Sequence, residues 1–271
     1  MVIKINMKLK EVIKKRFVQR KPIIAVNVES LDQFLVLSSI ANEIDNYIII
    51  QFSARNVDWM FSFYGDMLSS KRNQKIFFHL DHCDSSDVIQ KCIDIDFDSV
   101  MYDGSHYPID QNIKQTNLYY NRASKNDCLL EVEVGPISGV EDGFGSEKGD
   151  YFKMCEAIEM NQNGKFDLLA LTIGNAHGEY KTTSSIQPEL LKNFQASLPK
   201  AIPLVLHGGT GIPKKILQEC VNLGCVKVNY STEFKKSFAK LKKTSASHKE
   251  LVEQLRLDYS EKIEKFYSLW F

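Results

Sequence analysis

Three histidines each close an apolar run: His82 in FFHLDHC, His177 in LLALTIGNAHG and His207 in PLVLHGGTG. Short apolar runs of this kind read as buried strands, so the three imidazoles can converge at the ends of three different strands. Three imidazoles around Zn²⁺ with the fourth position open make a catalytic arrangement rather than a structural one. Such an ion keeps its full double charge, polarises a bound carbonyl or hydroxyl and stabilises an enediolate as it forms. Asp81 directly precedes the first histidine, close enough to move a proton to or from metal-bound substrate. It has a plainer alternative, capping a helix that starts at Ser85-Ser86-Asp87. Taken singly, each histidine is more simply a satisfied buried residue; the set of three, with Asp81 and the glycines beside it, points to a metal. His79 and His106 stay outside the ligand set. His79 faces the protein interior two residues before Asp81, and His106 is placed to orient a ligand from beyond the coordination sphere.

Many short strands are needed to bring these residues together, and the chain supplies them. IIAVN, YIIIQF, IFFHL, FDSVMY, CLLEVEV, DLLALTI, PLVL and VKVN recur with helix-compatible segments between them, among them Leu31 to Ile44, Val88 to Ile95, Pro188 to Ser197 and Pro213 to Leu223. Apolar strands of this length suit a parallel sheet covered on both faces. Eight of them, each followed by a helix, predict an α/β fold, a single (β/α)₈ TIM barrel over residues 1–271; a doubly wound sheet is the competing layout. The stretch from Met7 to Arg20 is expected to close the bottom of the barrel as an N-terminal capping helix. Residues 234–271 form a divergent helical tail, with helices over Glu233 to Lys243 and Glu250 to Phe266. The aromatic end, Phe266-Tyr267 through Trp270-Phe271, either tucks against the body or meets another subunit.

In that frame Asn27, Ser53, Asp81-His82, Asp103, Glu133, His177, His207 and Asn229 fall at or just past the ends of strands one to eight, in order. The C-terminal rim of a TIM barrel is where catalytic groups gather. Two rim segments are also suited to phosphate. His207-Gly208-Gly209-Thr210-Gly211 precedes a helix start at Ile212-Pro213, and Asn229-Tyr230-Ser231-Thr232-Glu233 opens another, so free backbone N–H groups would point into the rim.

Composition bounds the function classes. Lys plus Arg and Asp plus Glu both number 34, so no net field draws nucleic acid or any other polyanion. No run approaches the ~18 apolar residues of a membrane span, and MVIKINMKLKEVIKKRF lacks the core and cleavage site of a signal peptide. The six cysteines form no CxxC and read as reduced thiols. These features predict a cytoplasmic enzyme acting on a small molecule.

The motifs HLDH at 79–82, SVMYDGSH at 99–106, EVEVGPISGVEDG at 131–143, IGNAHGEYK at 173–181, LHGGTGI at 206–212 and KVNYSTE at 227–233 resemble, in order and spacing, those of the class II, zinc-dependent ketose-bisphosphate aldolases. The resemblance runs from about Ile24 to Glu233. It implies a lyase of sugar-phosphate metabolism that reversibly cleaves tagatose or fructose 1,6-bisphosphate to dihydroxyacetone phosphate and glyceraldehyde 3-phosphate through a zinc-stabilised enediolate. His82, His177 and His207 would hold Zn²⁺, and Asp81 would handle the C4 hydroxyl proton. Glu141 would exchange the proton on the dihydroxyacetone phosphate carbon, while Asp103 and Glu133 would offer a second or alternate metal position. Asn27, Ser53, Gly178, Gly208, Gly209, Thr210, Asn229, Tyr230, Ser231 and Thr232 would hold substrate, with Lys181 helping to neutralise a phosphate. A monovalent cation, Na⁺ or K⁺, near Gly178 and Gly208 fits the family pattern, as does assembly into a homodimer or homotetramer.

Two departures bear on the site. Cys83 stands where glycine commonly follows the Asp-His pair, which would either tighten packing at the metal or put a thiol there. Ser231 occupies a position that is often Asp in fructose-bisphosphate enzymes and Ala in tagatose-bisphosphate ones. The same site acting on another phosphorylated ketose or aldehyde is the alternative reading. An inactive barrel kept as a binding protein is a third.

Overall fold

The computed structural model describes residues 7–55, 57–71, 75–137, 151–178, 180, 183 and 185–270. After α1 (Leu9–Gln19) the chain alternates strand and helix: β1 (Ile23–Asn27), α2 (Leu31–Glu43), β2 (Ile48–Ser53), α3 (Val57–Lys71), β3 (Ile76–Cys83), α4 (Ser86–Asp94), β4 (Ser99–Tyr102), α5 (Ile109–Ala123), β5 (Leu129–Val134), α6 (Met154–Asn163), β6 (Leu168–Leu171), α7 (Pro188–Ser197), β7 (Leu204–Leu206), α8 (Lys214–Asn222) and β8 (Cys225–Asn229). Two further helices, α9 (Thr232–Thr244) and α10 (His248–Tyr267), complete it. All eight strands are parallel and pair in sequence order, and β8 closes on β1 through Ile23↔Lys227 and Ala25↔Asn229. That last ladder excludes the doubly wound sheet, which would leave two edges.

Strand alternation sorts the residues. Outward-facing Ile24, Val26, Ile50, Phe52, Phe78, Leu80, Leu130 and Val132 pack against the helices in one continuous core. Phe34, Phe52, Phe78 and Phe97 meet there at ring separations of 5.7–6.0 Å, edge-on or tilted, as their quadrupoles favour. The inward face changes character along the strands. Its lower part is apolar (Ile23, Ala25, Ile49, Phe77, Leu129, Leu168, Val205), and Leu9, Val12 and Ile13 of α1 seal it from below. Its upper part is polar yet buried: Gln51, His79, Asp81, Glu131, Glu133, Lys227 and Asn229. The capping helix thus lies where its sequence places it, two residues shorter at its start and one at its end.

The C-terminal tail packs on the barrel. Ser247 caps α10 by accepting the Glu250 N–H at 3.2 Å, and the Glu250 carboxylate accepts the Ala246 N–H at 2.7 Å. At the other end of α10 the Tyr267 hydroxyl accepts the Ile24 N–H at 3.2 Å and donates to the Tyr47 carbonyl. The Phe266 ring lies 5.6 Å from that of Tyr230 at the rim. Both aromatic residues are therefore tucked against the body. No helix among the described residues is long and apolar enough to cross a membrane.

The lower seal is separable from the rim. Ile13→Ala is expected to destabilise the fold by about 2–5 kcal/mol in denaturant titration. Any affinity for Zn²⁺ at the opposite end should stay unchanged; a parallel loss of affinity would show that the two halves are coupled.

Candidate active site

Asp81 and His82 are consecutive, and in a regular strand they would face opposite sides of the sheet. Both are buried on the inward side at the rim. The pairing of β3 with β4 slips between Leu80 and Cys83, and His82 takes a positive φ of 40°. A bulge of this type re-aims side chains at a functional rim, and a non-glycine residue in that region costs about 1–3 kcal/mol. Cys83 then turns outward into the helix-facing core, where its Sγ lies 3.6 Å from the Ser85 carbonyl and burial pushes its pKa up to about 12. It tightens packing and puts no thiol among the three histidines. Asp81 lies inside β3 and caps no helix; Ser85 holds the N-cap position of α4.

The donor atoms of His82, His177 and His207 lie within 4.8 Å of one another. The other nitrogen of two of these rings is already committed. His82 Nδ1 lies 2.9 Å from Asp103 Oδ2, and His207 Nε2 lies 3.0 Å from Glu131 Oε1. Their remaining nitrogens, His82 Nε2 and His207 Nδ1, face each other at 2.9 Å. Carboxylates behind imidazoles fix ring orientation and raise ligand basicity, so the donor set suits a borderline ion such as Zn²⁺. His177 arrives on the loop after β6, which is stitched to the β7 loop. Asn175 Nδ2 donates to the His207 carbonyl at 3.1 Å, and the Tyr180 hydroxyl accepts the Ala176 N–H at 3.0 Å while donating to the Gly208 carbonyl at 2.8 Å. Gly208 has φ +64°, and a Cβ there would sit 2.0 Å from the Ala176 oxygen.

Beneath the histidines lies a buried array that the motif reading missed. Lys227 Nζ donates to both Glu131 oxygens, at 3.0 and 2.7 Å, and to His79 Nε2 at 3.0 Å; His79 Nδ1 meets Ser99 Oγ at 2.7 Å. Burial resists charge on Glu131, but Lys227, with His79 and His207, outweighs it and holds the carboxyl well below the usual range. Burial and the neighbouring Lys227 bring His79 down to about 3. A sequence signal existed. Glu131 and Lys227 stand two residues before Glu133 and Asn229, so strand period alone turns them inward.

Asp81 is held from above. Asn27 Nδ2 donates to its Oδ2 at 2.8 Å, and Asn229 Nδ2 to its Oδ1 at 3.2 Å. Burial opposes its charge, but His82, Lys227 and His207 prevail and its pKa falls far below the carboxylate range. Ser231 in turn holds Asn27, accepting its backbone N–H at 3.0 Å and donating to its Oδ1 at 2.5 Å. His82, Asp103 and Glu133 form a second group of donors within 4.8 Å. Ser105 donates its N–H (3.1 Å) and hydroxyl (2.6 Å) to Asp103, whose pKa drops because the His82 contact outweighs burial. Burial and the Asp103 charge push Glu133 well up. His106 is exposed, so the orienting role expected of it belongs instead to Asp103 and Glu131.

The phosphate expectations are partly redrawn. The Gly209 N–H is used on the Asn229 carbonyl at 2.7 Å, the Tyr230 N–H on the Ala25 carbonyl at 2.8 Å, and the Ser231 hydroxyl on Asn27 rather than as a cap of α9. Contacts from the loop after β7 to β8, and from the end of β8 to β1, take these groups. Thr232 opens α9, whose first-turn N–H groups have no intrahelical acceptor. Ser53 Oγ, Thr210 Oγ1 and Asn229 Oδ1 are buried without a hydrogen-bond partner among the described residues, and buried polar atoms of this kind call for a ligand or water. Gly178 has φ +85° with open space around it. Glu141 and Lys181 lie outside the described residues.

The rim has counterparts elsewhere. The fructose-bisphosphate aldolase of Streptococcus pneumoniae is 38% identical over 162 residues, 59% of this chain and 54% of that protein. The chain thus spans about half the length of that relative. The 6-phospho-5-dehydro-2-deoxy-D-gluconate aldolase of Halalkalibacterium halodurans is 32% identical over 239 residues, 85% of this chain and 82% of that protein. The crystal structure of the YdjI aldolase from Escherichia coli K12 superposes with a TM-score of 0.84 at 21% identity, covering 98% of this chain and 97% of that one, a likeness of fold. Residues 7–270 match the family model described as fructose-bisphosphate aldolase class-II, and the chain belongs to that family.

Proposed function

We propose that the protein is a zinc-dependent aldolase that cleaves a ketose 1,6-bisphosphate, fructose or tagatose, to dihydroxyacetone phosphate and glyceraldehyde 3-phosphate. The observation that carries this reading is the convergence of His82, His177 and His207 with Asp81 turned inward beside them. Bound by those three imidazoles, zinc would polarise the ketone and stabilise negative charge left on the three-carbon half.

The chain's own residues supply the rest. Asp81 is ionised throughout the neutral range and accepts the proton of the C4 hydroxyl as the C3–C4 bond breaks; in the reverse direction it returns that proton to the aldehyde oxygen. Asn27 and Asn229 hold both its oxygens, so little reorganisation is needed at the moment of transfer. The first turn of α9 and Thr210 receive the phosphate of the three-carbon half. Glu141, from its position in the family motif, exchanges the proton on the carbon next to the ketone.

Metal uptake is proton-coupled in this site. Burial disfavours charge on His82, but the Asp103 hydrogen bond and the charges of Asp81, Asp103 and Glu133 win, taking its pKa from 6.5 to about 10. Its charged form therefore stabilises the ion-free fold fully below 6.5, a contribution lost as pH rises through about 10. With Nδ1 donating to Asp103, the proton that titrates is the one on Nε2, which faces His207 Nδ1 at 2.9 Å.

A second reading keeps the site and changes the aldehyde half. It is favoured by the Halalkalibacterium halodurans relative, which matches across most of both chains. Product analysis with fructose 1,6-bisphosphate, tagatose 1,6-bisphosphate and 6-phospho-5-dehydro-2-deoxy-D-gluconate at equal concentration decides between them. Cleavage of the third alone would overturn the bisphosphate assignment.

A chelator is expected to abolish cleavage, and borohydride with substrate to trap no lysine adduct. Asp81→Ala should keep its zinc and lose about 10²–10⁴ in turnover. Activity surviving within a few-fold would remove Asp81 from its role. Calorimetry at pH 7 in buffers of different ionisation enthalpy should show about one proton released per zinc bound, and affinity rising with pH. A buffer-independent heat contradicts the His82 assignment. Ser231→Ala frees the Asn27 amide and should lower kcat by about 3–10-fold with KM nearly unchanged; a change confined to KM would make Ser231 a substrate contact instead.

A further inference from the structure

The Lys227–Glu131 pair lies one layer below the rim, fully buried, and touches a metal-ligating candidate without belonging to the ligand set. A buried ion pair is a poor source of stability, since apolar residues of similar volume often replace it at no loss. Its geometry gives it a different use. The three hydrogen bonds available to an ammonium are all placed: two on the Glu131 oxygens and one on His79 Nε2. His79 is fixed in its turn, because accepting from Lys227 at Nε2 leaves Nδ1 to donate to Ser99 Oγ at 2.7 Å. Glu131 thus has no freedom to turn, and Oε1 meets His207 Nε2 at 3.0 Å. A carboxylate there requires the ring proton on Nε2. Nδ1, which faces His82, is then the nitrogen with the lone pair.

We propose that Lys227 is a positioning residue for the metal. It acts through Glu131 to fix both the tautomer and the plane of His207, so that metal affinity is set two residues' contacts away from the ion. The inference rests on the zinc reading above and deepens it. A structural lysine would contribute to folding alone; this one also determines how tightly three histidines hold an ion.

The test uses the full chain stripped of metal, with zinc affinity measured by competition against a chromophoric chelator. Lys227→Met and Glu131→Gln should each weaken zinc binding by about 10–100-fold. The double variant should lose no more than Glu131→Gln alone, because the hydrogen bonds that lead from Lys227 to the His207 ring run through that carboxylate. Loading with Co²⁺ supplies a second readout: the visible bands should shift in position and intensity in both single variants. Where Lys227→Met leaves a bare buried carboxylate and folds poorly, the doubly neutral variant is compared with Glu131→Gln by circular dichroism and by the same competition. Zinc affinity of Lys227→Met within about twofold of the unmodified chain overturns the proposal, as do single-variant losses that add in the double. An unmodified chain that takes up no zinc overturns the metal reading, and this inference with it. Uptake with no effect of the variants overturns this inference alone.

Discussion

Two adjacent residues of β3 have to point the same way, and a strand does not allow it. The slip in pairing between Leu80 and Cys83, with His82 at φ +40°, is the local departure that permits it. Without it either Asp81 or His82 would lie among the phenylalanines of the outer core, and the rim would keep only one of the two. The strain is tolerated because the surroundings determine it on both sides: Asp103 grips the His82 ring, Asn27 and Asn229 grip the Asp81 carboxylate, and Cys83 is anchored outside.

The electrostatics of the barrel's upper half follow from burial. Asp81, Asp103 and Glu131 are held ionised, Glu133 is pushed toward its neutral form, and Lys227 and the raised His82 are the cations facing them. Three anions against two cations leave the site one positive charge short. Exchanging the single His82 proton for a divalent ion evens the count, so the surrounding charges favour a dication in a region where unbalanced charge is expensive. The second donor group, His82 with Asp103 and Glu133, shares this deficit and offers the ion a neighbouring position.

Much of this was legible in the chain. Eight apolar runs specified the strands because strands covered on both faces carry few polar residues, and the residue ending each run specified the rim. That the three histidines and Asp81 meet at the rim needed only that topology. Glu131 and Lys227 were harder to see because they sit inside runs read as apolar, CLLEVEV and VKVN, although strand period places them inward. Hydrogen-bond partners across the seam were not legible. Nothing in KVNYSTE says that the Ser231 hydroxyl turns to Asn27 on β1, or that the Gly209 N–H is spent on Asn229. The choice left open at Cys83 and the role expected of His106 turned on similar details: one bulge decides which way Cys83 faces, and a single loop carries His106 out to solvent.

The seam between the first and last strands has a consequence for how the site comes into being. Asn27 on β1 is held by Ser231 just past β8, the Tyr230 N–H bonds the Ala25 carbonyl, and Asn229 reaches Asp81 from β8. These are contacts between chain segments about 150 to 200 residues apart, the kind that form late because long loops must close first. A chain with only β1 to β7 in place would have Asn27 beside Asp81 but would lack both the Asn229 amide and the Ser231 hydroxyl that holds Asn27. Closure of the ring by β8 therefore completes both halves of the rim in one event: it brings the Lys227 ammonium to Glu131 behind His207 and the Asn229 amide to Asp81.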